Sequence, residues 1–216
     1  MRFPAKTPKL VRSLFPNFTW QIDTKENELY LTFDDGPTPE ITPWVLEQLK
    51  AYKAKATFFC IGNNIEKHPE IFNTILEDGH TIGNHTYHHV NGWKTSTSEY
   101  LKDVTECQNK VEKSTSKSQT LFRPPYGKIK KGQSKKLIQE GYNIIMWDVL
   151  SYDWDQSVSE EKCFGNIIKS ATNGSIIVLH DSVKAAKNLK AVLPKVLEYY
   201  KEKGFSFKSL STHIPG

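Results

Sequence analysis

The sequence predicts an α/β fold: a distorted (β/α) barrel of about seven parallel strands, favoured over a doubly wound open sheet. Three observations carry this. Short β-rich runs alternate with helix-period segments from residue 28 onward. Gly79, Gly141, Gly174 and Gly204 each fall just past a helical segment, where a left-handed residue is expected, and an apolar run follows each. The polar clusters fall where strands end, which is where βα-repeat folds gather their chemistry. The pattern alone leaves barrel and open sheet both open; the number of strand candidates favours the barrel.

The expected strands, in order, are Leu29–Phe33, Thr57–Cys60, His80–Gly83, Thr120–Phe122, Asn143–Trp147, Ser175–Leu179 and Phe205–Phe207. The expected helices fall at about 40–53, 64–78, 97–113, 131–140, 159–171 and 185–203. In the last, Leu189, Val192, Leu193, Val196, Leu197 and Tyr200 recur at three- and four-residue steps. Lys113–Gln119 reads as a surface loop, and nothing divides the chain. Residues 1–27 are expected to form a lead-in packed on or beside one domain at 28–216.

Composition narrows the function classes. With 216 residues, 38% hydrophobic and 25% charged, the chain buries a core without staples. No apolar run approaches the roughly 18–20 residues a membrane span needs. Arg2, Lys6, Lys9 and Arg12 are not followed by a signal-peptide stretch. A cytoplasmic or membrane-peripheral location is therefore expected, unless a leader has been removed or lies outside this sequence; Met1 favours a native start. Segment 10–20 is expected to pack over the domain, with a membrane surface as the lesser alternative. Cys60, Cys107 and Cys163 are read as buried free thiols, since they are odd in number and far apart. Formal charge is +5. The lysines at 128–136 and 184–195 read as solvated helix faces without the interleaved aromatics of a nucleic-acid platform, so no nucleic-acid partner is expected.

Four clusters carry the chemistry. In Thr32-Phe33-Asp34-Asp35-Gly36-Pro37, two adjacent carboxylates meet a turn, and a metal would relieve their repulsion by taking one as ligand and leaving the other as base. In Gly83-Asn84-His85-Thr86-Tyr87-His88-His89, one helical turn would bring His85 and His89 to the same face. Two histidines and a carboxylate form a common catalytic metal set with open positions. His88 is expected to face outward, and His80 to be structural. In Phe122-Arg123-Pro124-Pro125-Tyr126-Gly127, Arg123 can keep a carboxylate ionised and the Tyr126 N–H can face a developing oxyanion. In Ser175–Asp181, an apolar strand delivers His180, whose near-neutral pKa suits a general acid. Its orienting carboxylate is expected to be Asp153, with Asp148 as fallback and Asp181 adjacent; Trp154 adds an aromatic surface for a sugar ring.

In this order the clusters resemble the polysaccharide deacetylases of the NodB homology domain, carbohydrate esterase family four. TFDDGP at 32–37, HTYHH at 85–89 and RPPYG at 123–127 match the family's first three motifs, and the resemblance covers roughly residues 28–208. It implies removal of N-acetyl groups from N-acetylated sugars of a poly- or oligosaccharide. It also implies one divalent metal, zinc foremost, with Co2+, Mn2+, Ni2+ and Fe2+ as alternatives, bound by Asp35, His85 and His89. Asp34 would be the base acting on a metal-bound water, held ionised by Arg123. Tyr126 would help stabilise the oxyanion, and His180, oriented by Asp153, would protonate the leaving amine. Trp154 and Val178 would line the acetyl pocket. Two departures stand out: Leu150 replaces an earlier aspartate of the fourth motif, and Val178 replaces the leucine of the last. The rival readings are a deacylase of another amide or an O-acetyl ester on the same site, and a glycan-binding protein without turnover.

Overall fold

The computed structural model describes residues 4–115 and 120–210. Its centre is strand β1 (Glu28–Asp34), whose run ELYLTFD is buried on both faces after the first residue. Strand β2 (Ala56–Cys60) pairs with it on one side and β7 (Ile176–His180) on the other. Strands β3 (Thr81–Asn84), β4 (Leu121–Phe122) and β5 (Asn143–Ile144) extend the sheet beyond β2, and β6 (Val149–Leu150) extends it beyond β7. The short β8 (Ser206–Phe207) pairs with the start of β1. Every pairing between these strands is parallel.

The expected strand Asn143–Trp147 is strand only at Asn143–Ile144, and a strand not expected from the sequence, Val149–Leu150, follows it, because the chain crosses here from one edge of the sheet to the other. That crossing forces the curl. Edges of a flat seven-strand sheet would stand roughly 29 Å apart at about 4.8 Å per strand, yet the backbone from Ile144 to Val149 reaches at most about 19 Å. The sheet therefore bends into a partial barrel, with helices outside.

Helix α1 (Lys9–Leu14) lies in the lead-in. Helices α2 (Ile41–Ala51), α3 (Gly62–Lys67) and α4 (Pro69–Glu77) follow β1 and β2. The single helix expected at 64–78 is broken at His68 because Pro69 opens a new one. Helix α5 (Thr97–Ser114) starts at a reciprocal cap between Ser96 and Glu99. It runs through Lys113, so the loop expected there begins later, and 116–119 lie outside the described residues. Helices α6 (Lys131–Gln139), α7 (Glu160–Ile168) and α8 (Ala186–Glu202) complete the layer. The three cysteines are buried and free.

The lead-in crosses the N-terminal end of the barrel. Thr19 bridges to Ile145 and Gln21 to Ser175, and Trp20 packs with Tyr100, Phe122 and Met146. Asp148, beside the start of β7, receives Lys6 at 2.5 Å and Arg12 at 3.1 Å. Gly174 serves this junction: at φ 76° it accepts from the Ile22 N–H, and an added Cβ would lie 1.8 Å from the Ile22 oxygen. Leu10 and Leu14 of α1 stay exposed. No helix of the described residues is long and apolar enough to cross a membrane.

Candidate active site

The C-terminal strand ends supply the site in register. Asp34 ends β1 directly beside His180, which ends β7. His85 follows β3 and Arg123 follows β4, strands paired at Asn84 and Phe122. A cleft of about 540 Å³ opens over them.

Asp34 and Asp35 are separated by the turn, where Asp35 takes a left-handed φ of 82°. Asp34 is buried, and its Oδ1 accepts from Arg123 Nη1 at 2.7 Å. Burial alone would raise its pKa, but Arg123, with help from His85 and His180, outweighs this and holds the carboxyl below its usual range. Arg123 is itself completely buried. It also donates to Thr32 Oγ1 at 2.7 Å and to the carbonyls of Ile145 and Met146 at 3.2 and 2.9 Å, while its guanidinium lies 4.1 Å from the Phe59 ring centre. Fixed by these contacts, it has little freedom to leave Asp34.

Asp35, His85 and His89 present donor atoms that all lie within 4.8 Å of one another. The spacing of the two histidines brings them together, but not by a helical turn. Residues 85–89 form an irregular loop with Thr86 at φ 64° and His89 at φ 56°. Asn84 holds this loop through the Thr86 N–H at 2.9 Å, and Asp103 of α5 holds it through the N–H groups of Tyr87 and His88 at 2.7 and 3.0 Å. His88 turns outward, and its Nδ1 pairs with Asp103 at 2.7 Å. His80 accepts the Ala56 N–H through Nδ1 at 3.2 Å, a structural contact.

The His85 Nδ1–H donates to the Arg123 carbonyl at 2.8 Å, leaving Nε2 with a lone pair toward Asp35 at 3.8 Å. His89 Nε2 is 3.3 Å from the same carboxylate, and its Nδ1 meets the Tyr126 hydroxyl at 3.1 Å. Burial, against the pull of Asp34 and Asp35, pushes His85 down; burial and then the neighbouring His85 push His89 to about 4. Both rings are thus neutral near pH 7, with Nε2 available, which is the form a cation needs. The donor set fits a divalent metal.

The other half of the site centres on His180. Its Nδ1 lies 2.9 Å from Asp153 Oδ1, and its N–H donates to Oδ2 at 2.7 Å. Burial works against charge here, but the buried Asp153 prevails and raises the imidazole to about 9. Asp153 also accepts from Ser151 at 2.8 Å. Asp148 is not an alternative partner: it lies at the opposite end of the barrel, bound by Lys6 and Arg12. Trp154 stacks on Tyr152 and packs 4.7 Å from the His180 ring, with Val178 and Leu150 on the same wall.

Several participants escape a sequence reading. Asp181 points away from the cleft: its Oδ1 accepts the Gly36 N–H at 3.1 Å, its Oδ2 accepts from Thr42 at 2.5 Å, and burial pushes it up to about 8. It braces the turn after Asp35, where a Cβ on Gly36 would sit 2.0 Å from Oδ2. Asp103 carries a visible signal, since it is an acid on the apolar Tyr100–Val104–Cys107 stripe of α5. The lysine runs are not simply solvated helix faces, because Lys128 and Lys184 line the cleft. Among the described residues, seven non-glycine positions have positive φ, and five of them (Asp35, Thr86, His89, Tyr126 and Tyr152) lie in the site loops.

A partial barrel with an ionised carboxylate, a charged imidazole and a three-donor cation site facing one cleft belongs to the sugar-deacetylating hydrolases. The family model described as polysaccharide deacetylase matches residues 21–145, more than half of the chain, and the chain belongs to that family. It is 34% identical over 199 residues to a peptidoglycan-N-acetylglucosamine deacetylase of Bacillus cereus, covering 89% of this chain and 91% of that one. It is 32% identical to the peptidoglycan-N-acetylmuramic acid deacetylase PdaA of Bacillus subtilis, covering 87% and 72%. Among solved structures, the Bc1960 peptidoglycan N-acetylglucosamine deacetylase, in complex with an N-hydroxybenzamide compound, superposes with a TM-score of 0.87 at 32% identity, covering 94% of this chain and 95% of that one. Asp153, Trp154 and His180 fall beyond the segment the family model matches.

Proposed function

We propose that the protein hydrolyses the N-acetyl groups of amino sugars in a peptidoglycan-type glycan, using a divalent metal, zinc foremost, held by Asp35, His85 and His89. One observation carries the reading. Asp34 and His180, adjacent on paired strands, are each held by a buried partner of opposite charge, Arg123 at 2.7 Å and Asp153 at 2.9 Å. Their pKa values are thereby driven apart, one group kept ionised and the other protonated. That division supplies a base and an acid at the same pH.

A bound divalent cation would supply Lewis acidity toward the acetyl oxygen and toward water. Asp34 takes the proton from the attacking water, and Arg123 keeps it ionised and aimed. The Tyr126 N–H, in the left-handed turn Pro125–Gly127 where Tyr126 takes a φ of 59°, donates to the oxyanion. His180 gives its Nε2 proton to the leaving nitrogen, while Asp153 fixes Nδ1. Trp154, Val178 and Leu150 wall the acetyl methyl. A nitrogen leaving group must be protonated to depart, so the strongly supported His180 favours an amide over an ester.

The test is acetate release from N-acetylglucosamine oligomers and from peptidoglycan glycan strands, with metal-loaded, chelated and Asp34→Asn protein side by side. The expected result is metal-dependent release that the Asp34→Asn substitution lowers by about 10²–10⁴-fold while stoichiometric metal binding persists. Tight metal binding without release from either glycan would overturn the reading. Loading with Zn2+, Co2+, Mn2+, Ni2+ or Fe2+ ranks the metals directly.

A further inference from the structure

The charges around the cleft are distributed unevenly. Among the described residues, the carboxylates lining it are Asp34 and Asp35 on the floor, the first taken by Arg123 and the second facing two histidines. The outer lining charges are both positive: Lys128, on the loop after β4, and Lys184, on the loop after β7. Neither has a carboxylate within 4.0 Å among the described residues. Lys128 is also held in place, its ammonium 5.4 Å from the Trp93 ring centre and 6.0 Å from that of Tyr126. An ammonium between two rings is partly stripped of water and pre-positioned, so it loses less on meeting an anion. Trp93 is 61% exposed, although its indole N–H is tied to the Ile129 carbonyl at 3.3 Å. With its polar atom satisfied internally, the indole offers a face to a ligand beside the cleft.

We infer that Lys128 and Lys184 determine specificity by binding a carboxylate carried on the sugar next to the one being deacetylated, with Trp93 as the platform for that neighbour. The preferred substrate is then an acidic N-acetylated glycan rather than a neutral one. This rests on the deacetylase reading and deepens it. Muramic acid residues carry such a carboxylate on a lactyl ether; chitin-type chains carry none.

The experiment compares one N-acetylglucosamine–N-acetylmuramic acid tetrasaccharide with its lactyl carboxylates free and with the same groups converted to methylamides. The metal-loaded enzyme is expected to favour the free acid by about tenfold in kcat/KM, mainly through KM, one tenfold step being about 1.4 kcal/mol. Lys128→Gln together with Lys184→Gln should bring that ratio close to one, and the paired Lys→Arg variant should restore it. Raising NaCl from about 0.05 to about 0.5 M (on the order of a threefold shorter screening length) should shrink it. A third arm, with an alanyl residue on the lactyl group, separates a sugar-borne carboxylate from a peptide-borne one. Equal kcat/KM for acid and methylamide in the unaltered enzyme would overturn the inference, as would a ratio that survives the double Gln variant. Equilibrium binding of the two tetrasaccharides to the Asp34→Asn protein measures the same preference without turnover, so failure of the deacetylase reading is scored separately.

Discussion

Asp148 and Asp153 are both fully buried aspartates on either side of β6, and they do opposite work. Asp148 lies at the N-terminal end of the barrel, where Lys6 and Arg12 neutralise it and pin the lead-in while Ser175 donates a hydrogen bond. Asp153 lies at the C-terminal end and leaves its charge on an imidazole that lines an open cleft. Burial and residue type are the same, so what separates support from chemistry is the end of the strand. Charge at one end is consumed within the protein; at the other it is kept available for a ligand.

The sharpest test of that contrast is Asp153→Asn, for which kcat for acetate release is expected to fall by roughly 10²–10⁴-fold. Its pH dependence has a definite sign. A histidine raised from 6.5 to about 9 contributes stability that is complete below about 6.5 and lost as pH rises through about 9. In the unaltered protein, activity and the His180-linked share of stability should therefore decline on the alkaline side. In the Asp153→Asn variant the decline should move toward the ordinary histidine range, read by rate profiles and by NMR titration of His180. Asp148→Ala should do the reverse, costing roughly 2 kcal/mol in urea unfolding while kcat stays within about twofold. That is less than the about 3–5 kcal/mol for a fully enclosed pair, because Lys6 and Arg12 can turn to water. A large kcat loss in the Asp148→Ala variant would erase the distinction between the two ends.

Val178→Leu acts on the cleft wall by one methylene. The acetyl-to-propionyl rate ratio is expected to rise by up to about tenfold, measured on matched N-acylated chito-oligomers. The smallest effect belongs to His88→Ala, whose ring faces out: metal stoichiometry and kcat should change by less than about twofold, with a small stability loss from the Asp103 contact, within about 1 kcal/mol.

The legible parts of this fold are those encoded locally. Strand–helix alternation, the glycine stops and the polar clusters at strand ends depend on near neighbours in the chain, and Asp34, Asp35, His85, His89, Arg123 and His180 all line the cleft or touch residues that do. The His85–His89 spacing points to the pair that the structure brings beside Asp35, but by a different route: a left-handed loop tied to Asp103 replaces the helical turn. The early end of the strand at Ile144 and the new strand at Val149–Leu150 are invisible in the sequence, because barrel closure imposes them on a run that is itself strand-like. The lead-in contacts are hidden because Lys6 lies 142 residues from Asp148. The lysine runs have a correct local pattern, solvated and basic, while the loops after β4 and β7 bring one member of each to the cleft.

Arg123 has a consequence beyond its ion pair. Its side chain holds Asp34 and its carbonyl fixes the tautomer of His85, so one residue secures the proposed base and the proposed cation site by two different parts of its structure. Side-chain substitution can damage the first while sparing the second, but a shift of the backbone at 123 displaces both together. Change at the site is therefore channelled: the cleft wall can be altered one residue at a time, whereas Asp34 and the Asp35–His85–His89 cluster depend on one stretch of backbone.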